Sequence, residues 1–323
     1  MRKIIVTSVA ILIILSFFSC IDRSNSKRIN LAIIGRYENS FWNDVRSGVK
    51  AAEKDLGVNV EFLVPPKEDP AWQIRKIEEL IKKRINGIAF TASDPKSLKP
   101  TIMKAIEQDI PCIAMDIDLP KSRHAYVGTG NYYTGQQAAE KMLEIIDGKG
   151  KVAIISDSSD PDCLQRIQGF RDIMEEYKDV KIVEIPGIVG KFAWTSQLES
   201  IIKSTPDLNG IFCVSDTAGI ATAKKVMEEN KVDKIKIVCV GESSDILKLI
   251  QDNVIQAAIS RRPYRIGYLS VLVLHNMAKA GIKNTLMILP KSEIIDTGVT
   301  IITPSNVIQY YEELTKLGIK PRF

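Results

Sequence analysis

The chain has 323 residues, 45% of them hydrophobic, with 44 Lys and Arg against 39 Asp and Glu. A formal charge of +5 with no basic cluster lacks the footprint of a nucleic-acid binder. The two histidines, His124 and His275, lie far apart and have no cysteine or carboxylate at metal-ligand spacing, so a zinc centre is not expected.

The first residues read as an export segment. Arg2 and Lys3 precede an apolar run from Ile4 to Phe18, too short for the roughly 20 residues of a membrane span and laid out like a secretory signal. The run ends in L-S-F-F-S-C, a loose match to a bacterial lipobox with Phe17 in place of the usual Leu, so Cys20 is the expected lipidation site. Residues 1–19 are thus expected to be removed and 20–28 to form a polar tether. Losing Arg2 and Lys3 brings the charge to +3. The expected location is the periplasm or the extracytoplasmic face of the cell membrane. Cys112, Cys213 and Cys239 lie in apolar strand-like runs and are expected as free, buried thiols.

Beyond the tether, strand-like runs alternate with amphipathic stretches. Strands are expected at residues 29–35, 58–64, 87–92, 112–116, 125–128, 151–157, 181–185, 210–215, 235–241 and 254–260, with a last strand-like run at 294–302. In the first helical pattern Phe41, Val45, Val49, Ala52 and Leu56 recur at spacings of three and four, and Gly57 stops it. Further helical patterns cover 71–83, 98–108, 133–146, 164–177, 217–229 and 262–280. Near-continuous apolar strands alternating with helices imply parallel sheets covered on both faces, an α/β architecture. Ten strands are many for one sheet, so two lobes are expected, with late elements returning to the first and then the second.

Chemistry-bearing residues gather at strand ends. Asn39, Phe41 and Trp42 sit where the first strand hands over to its helix, a place where open α/β sheets meet ligands. Flat aromatics beside an amide suit the apolar face of a sugar ring and its hydroxyls. Later strands close on Asp116 with Asp118 nearby, on G-T-G-N offering Asn131, on Ser215 and Asp216, on Glu242 and Ser243, and on Arg261. Carboxylates accept hydroxyl protons and Arg forks onto adjacent oxygens, which is what a polyol needs. Ser215 and Asp216 could equally cap the helix that follows. Trp194, in F-A-W-T-S, precedes another helical pattern and is a further aromatic candidate. No nucleophile elbow or Walker A loop is present, and the third glycine of G-T-G-N-Y-Y-T-G is misplaced for a dinucleotide loop, so neither catalysis nor a cofactor is expected.

Eight segments, in order from about Ile29 to Tyr311, resemble the ribose- and galactose-type periplasmic binding proteins of bacterial ABC transporters. They include N-S-F-W-x2-V-x2-G-V, G-I-A-F-T-A-S-D-P, I-P-C-I-A-M-D-I-D, Y-V-G-T-G-N-Y, R-I-Q-G-F and R-R-P-Y-R-I-G-Y. The resemblance implies the type I periplasmic binding protein fold, two Rossmann-like lobes joined by a three-segment hinge. On it the N-terminal lobe is expected at 29–131 plus 262–291, and the C-terminal lobe at 132–261 plus 292–323. It further implies that Asn39, Phe41 and Trp42 make first-lobe contacts, that Asp116 grips ring hydroxyls, that Arg166 is the second-lobe arginine, and that Asn131 is a hinge-side polar residue. Ser215 falls where ribose binders often carry Asn, and Arg261 where Gln is common. The chain departs from the pattern at Ile117 and Asp118 after the first Asp, at Gly130, and at G-E-S in residues 241–243, where Glu242 and Ser243 compete for the ligand position. The expected function is a lipid-anchored, monomeric receptor for a monosaccharide or polyol serving an ABC permease and its ATPase. The alternative is a signalling receptor for a sugar or furanosyl autoinducer that addresses a chemoreceptor or sensor kinase.

Overall fold

Asn39 opens the first helix by accepting the Trp42 N–H on its side-chain oxygen, and Gly57 closes it at φ 65°, a turn that costs a residue without a Cβ little. The next two helices start with Asp-Pro pairs, Asp69-Pro70 and Asp94-Pro95, which combine a capping carboxylate with a proline that needs no N–H partner in the first turn. Such local signals recur through a computed structural model that describes residues 28–156, 161–183 and 193–319.

The first series comprises β1 (Asn30–Ile34), α1 (Ser40–Leu56), β2 (Asn59–Leu63), α2 (Pro70–Lys82), β3 (Ile88–Phe90), α3 (Pro95–Ile106), β4 (Cys112–Met115) and β5 (Ala125–Gly128). The second begins with α4 (Asn131–Ile145), β6 (Gly150–Ile155), α5 (Pro161–Met174), β7 (Val180–Val183) and α6 (Ala193–Ser204). It continues through β8 (Leu208–Cys213), α7 (Asp216–Glu228), β9 (Lys236–Val240), α8 (Ser244–Gln251) and β10 (Ala257–Ser260). Then follow α9 (Pro263–Ala280), α10 (Ile282–Ile288), β11 (Ile294–Asp296), β12 (Thr300–Ile302) and α11 (Val307–Lys316).

The strands form two six-stranded sheets, ordered β11-β5-β4-β3-β1-β2 and β12-β10-β9-β8-β6-β7, parallel throughout except where β12 runs against β10. Successive strand residues face opposite sides, and both sides are apolar. Leu31 and Ile33 pack with α1 and α9, while Ala32 and Ile34 pack with α2 and α3. Among the described residues, Cys112, Cys163, Cys213 and Cys239 are buried and form no disulfide.

The apolar run at 294–302 is not one strand. Ile294 pairs with Tyr126 in the first sheet and Thr300 with Ser260 in the second, with Gly298 at φ 66° turning the chain between them. The first sheet therefore keeps Ile294–Asp296, and the return to the second lobe, expected at 292, comes after residue 296.

The chain crosses between sheets three times, near Thr129, Arg261 and Thr297. The buried Thr129 hydroxyl donates to the Arg261 carbonyl at 2.9 Å and shares a 2.7 Å hydrogen bond with the Thr297 hydroxyl. Arg262 adds donations to the Thr300 hydroxyl at 2.8 Å and the Thr297 carbonyl at 3.2 Å. All three crossings are thereby tied at one place.

The same helix contact appears in each lobe. A Cβ on Gly48 of α1 would overlap the Tyr264 carbonyl of α9, and one on Gly267 the Val45 carbonyl. Gly135 and Gly169 meet the Arg166 and Tyr132 carbonyls in the same way where α4 crosses α5. Backbone cannot rotate away as a side chain can. Gly135→Val should therefore destabilise by about 3 kcal/mol or more, read as a lower denaturation midpoint. An unchanged midpoint would show that the crossing can open freely.

Candidate functional site

Polar groups from six strand ends meet between the lobes. Arg36 to Trp42 follow β1, Asp116 follows β4, Asp162 and Arg166 follow β6, Ser215 to Thr217 follow β8, Gly241 and Glu242 follow β9, and Arg261 follows β10. The cavity they enclose measures about 250 Å3. Each contributor lies beyond the carboxyl end of its strand, where open α/β sheets hold ligands. A larger groove of about 500 Å3 runs elsewhere, between α9 and α11, and its lining is mainly apolar.

Asp116 is held in a left-handed conformation, φ 64°, which Asp tolerates better than most residues. Its carbonyl accepts the Tyr126 hydroxyl at 2.8 Å. Its carboxylate accepts Arg261 Nη1 at 2.6 Å, and the Arg261 guanidinium lies 4.4 Å from the centre of the Phe41 ring. The Arg261 N–H donates to Glu242 Oε2 at 3.1 Å.

Arg166 is 3% exposed, and each of its three side-chain nitrogens makes a hydrogen bond. Its Nε donates to Asn131 Oδ1 at 2.9 Å, Nη1 to the Val214 carbonyl at 2.9 Å, and Nη2 to Asp162 Oδ2 at 3.2 Å. The other Asp162 oxygen, Oδ1, is buried with no hydrogen-bond partner, an acceptor available to a donor entering the cleft. Burial alone would raise the Asp162 carboxyl, but Arg166, Arg261 and Arg36 together hold it below its ordinary value.

Nearby acids shift the other way. Burial, with Asp216 next, pushes Glu242 up to about 8. Asp216 is raised by burial although the Ser243 N–H and hydroxyl, at 3.2 and 3.0 Å, both donate to its Oδ1. Asp44, half-buried on α1, is pushed up to about 7 by burial and by Asp216. Acids from both lobes therefore resist ionising together.

Most of the residues singled out in the sequence converge here, several in roles other than those expected. Phe41 borders the cleft with its ring covered by Arg261. Trp42 also borders it, but at 3% exposure it packs in the first-lobe core, edge-on to Phe41 at 5.5 Å, and backs that ring rather than offering a stacking face. Asn39 spends its side-chain oxygen on the helix cap, and Ser215 accepts the Ala218 N–H at 3.2 Å as the cap of α7. Asn131 supports Arg166 from behind. Glu242 lines the cleft, while Ser243 holds Asp216.

Asp118 is not brought in. Both its oxygens accept Arg123, at 2.7 and 3.1 Å, in a half-buried pair within the first lobe. The side chain of Trp194 and the whole of Cys20 lie outside the described residues.

Arg36, Tyr37, Asp162 and Thr217 also line the cleft without having been singled out in the sequence, and Asp216, read there as a strand-end acid or a helix cap, lines it too. One signal was available: Asp162 stands four residues before Arg166, the spacing of a helical ion pair.

Among the described residues, no group of three or more His, Cys, Asp or Glu could hold a metal ion, and no helix is long and apolar enough to cross a membrane.

A family model for the periplasmic binding protein domain matches residues 32–283. The chain belongs to the periplasmic binding protein family. Its two parallel-dominated sheets have the type I fold of that family. It is 23% identical over 277 residues to the D-allose-binding periplasmic protein of Escherichia coli, covering 82% of this chain and 89% of that one. A solute-binding protein of an ABC transporter from Burkholderia graminis, solved with D-arabinose, superposes with a TM-score of 0.77 at 30% identity, over 89% of this chain and 99% of that one. The XylFII–LytSN complex matches with a TM-score of 0.71 at 26% identity, over 86% and 98%.

The acid cluster has a measurable consequence. Glu242 and Asp44 titrate in the folded protein near 8 and 7, against ordinary values of 4.5 and 3.8, so the folded state holds protons that the unfolded chain has already lost. Stability should fall as pH rises from 7 to 8.5. His124 and His275, both lowered by burial, oppose this slope only weakly, because an unfolded imidazole with the ordinary value of 6.5 is already mostly neutral at pH 7. Asp162, whose value is lowered, affects stability only in acid. Glu242→Gln should flatten the slope in thermal melts. An identical pH profile in the variant would contradict the assignment.

Proposed function

We propose that the cleft captures a monosaccharide or related polyol, outside the cytoplasm, for delivery to an ABC permease and its ATPase. The observation that carries this reading is the enclosed space of about 250 Å3, lined by carboxylates and guanidinium groups and holding an unpartnered Asp162 oxygen. Hydroxyls donate and accept at once, so a small polyol can satisfy such a lining where an apolar ligand cannot. A ligand touching both lobes favours the shut state through contacts made only there, and the tied crossings supply the hinge. No bond in the ligand is made or broken. The names of the relatives, which refer to D-allose and D-arabinose, support a sugar.

In this reading Cys20 carries the lipid anchor, the protein acts as a monomer, and the permease reads the outer faces of the closed lobes. The XylFII–LytSN complex favours a second reading, in which a signalling partner reads the closed form instead. Uptake separates the two: deleting the protein abolishes accumulation of labelled sugar in the first and spares it in the second.

A thermal-shift screen against D-allose, D-arabinose, D-xylose and simple polyols tests the ligand class. At 100 times its dissociation constant, a sugar that binds only the folded state adds about 2.7 kcal/mol of stability, a clear upward shift in Tm. Asp162→Asn should lose most of that shift relative to its own ligand-free melt. A screen in which no sugar or polyol moves the Tm would defeat the proposal.

A further inference from the structure

The contact that spans the cleft is made by the protein alone. Phe41 and Asp116 stand at strand ends of the first sheet, and Arg261 at the end of β10 in the second. The Arg261 guanidinium lies 4.4 Å from the Phe41 ring centre and donates to Asp116 Oδ1 at 2.6 Å. An aromatic face beside a carboxylate is what a sugar ring and its hydroxyls would otherwise meet. A guanidinium matches both, being flat enough to stack and able to donate in its own plane.

Both partners are held in place by their surroundings. The Asp116 carbonyl accepts the Tyr126 hydroxyl at 2.8 Å, and the Arg261 carbonyl accepts the Thr129 hydroxyl at 2.9 Å. Two non-glycine residues take left-handed backbone at the ends of the bridge, Asp116 at φ 64° and Arg262 at φ 53°. Strain of this kind persists only where surrounding structure over-determines it, and it gathers at switches and ligand clamps. The side chains are 17% and 12% exposed, so the pair is largely withdrawn from the water that weakens surface ion pairs.

We infer that Arg261 is a built-in bridging group that latches the lobes together without ligand and takes the stacking seat on Phe41. The ligand then occupies the remaining space beside Asp162, Arg166 and Asp216, facing a guanidinium where an aromatic ring was expected. Because the latch populates the shut form beforehand, less of the ligand's binding energy goes into closure. The inference does not depend on which sugar binds, or on whether a sugar binds at all.

The test uses ligand-free protein. Spin labels at Lys67→Cys and Gln165→Cys, exposed positions on opposite lobes, report lobe separation by double electron–electron resonance on full-length protein stripped of bound solute by partial unfolding and dialysis. The parent protein should show a short-distance population. Arg261→Gln should lower the ratio of short to long distances at least tenfold. Asp116→Asn, which keeps shape and tolerance of left-handed backbone, should do the same, and the double variant should add little. Cooperative melting of each variant confirms folding. A parent protein without the short-distance population, or either single variant with an unchanged distribution, would overturn the inference.

Discussion

Three passages of the chain between the lobes meet at one buried hydroxyl, that of Thr129, and this fixes which edges of the two sheets confront each other. Each sheet buries both faces under its own helices, so the lobes need nothing from one another for a core. What they share is polar. The carboxyl ends of β1, β4, β6, β8, β9 and β10 point their loops into one gap, and the charged residues in those loops have no apolar alternative. Function follows from that convergence, since no single strand end carries enough groups to hold a small solute.

Charge in the gap is balanced locally. Arg166 answers Asp162, Arg261 answers Asp116, and Arg36 answers Glu68. With each of these guanidiniums paired, the cleft suits a ligand that donates hydrogen bonds more than one that brings negative charge. The acids that lack such a partner, Glu242, Asp216 and Asp44, are those that burial pushes toward the protonated form. The same low-polarity surroundings that strengthen the ion pairs discourage unpaired charge.

Much of this was legible from residue order. Apolar runs such as I-A-F and C-I-A-M lie in buried parallel strands, and their positions agree with the structure to within a few residues, because strands covered on both faces leave no room for polar alternation. The pair β11 and β12 misled, since two short apolar strands separated by three residues look like one. Helices α8 and α10, eight and seven residues long, are too short to show a period. At the site, residue type and strand-end position pointed to Asp116, Glu242 and Arg261, and the family resemblance to Arg166, and all four line the cleft. Neither signal could tell who pairs with whom. Asp118 resembled a ligand residue until Arg123, five positions on, proved to hold it. Trp42 read as a stacking group at a strand-to-helix junction, yet it fills the space beside Gly35, where a Cβ would press on the indole.

The account stands on the gap between the lobes being the place where a solute binds. A crystal structure of the protein grown with whichever monosaccharide raises its Tm most tests this directly. The account predicts one sugar molecule enclosed between the sheets, with a hydroxyl donating to Asp162 Oδ1. Sugar found only on an outer face, with Asp162 Oδ1 still unpartnered, would contradict it.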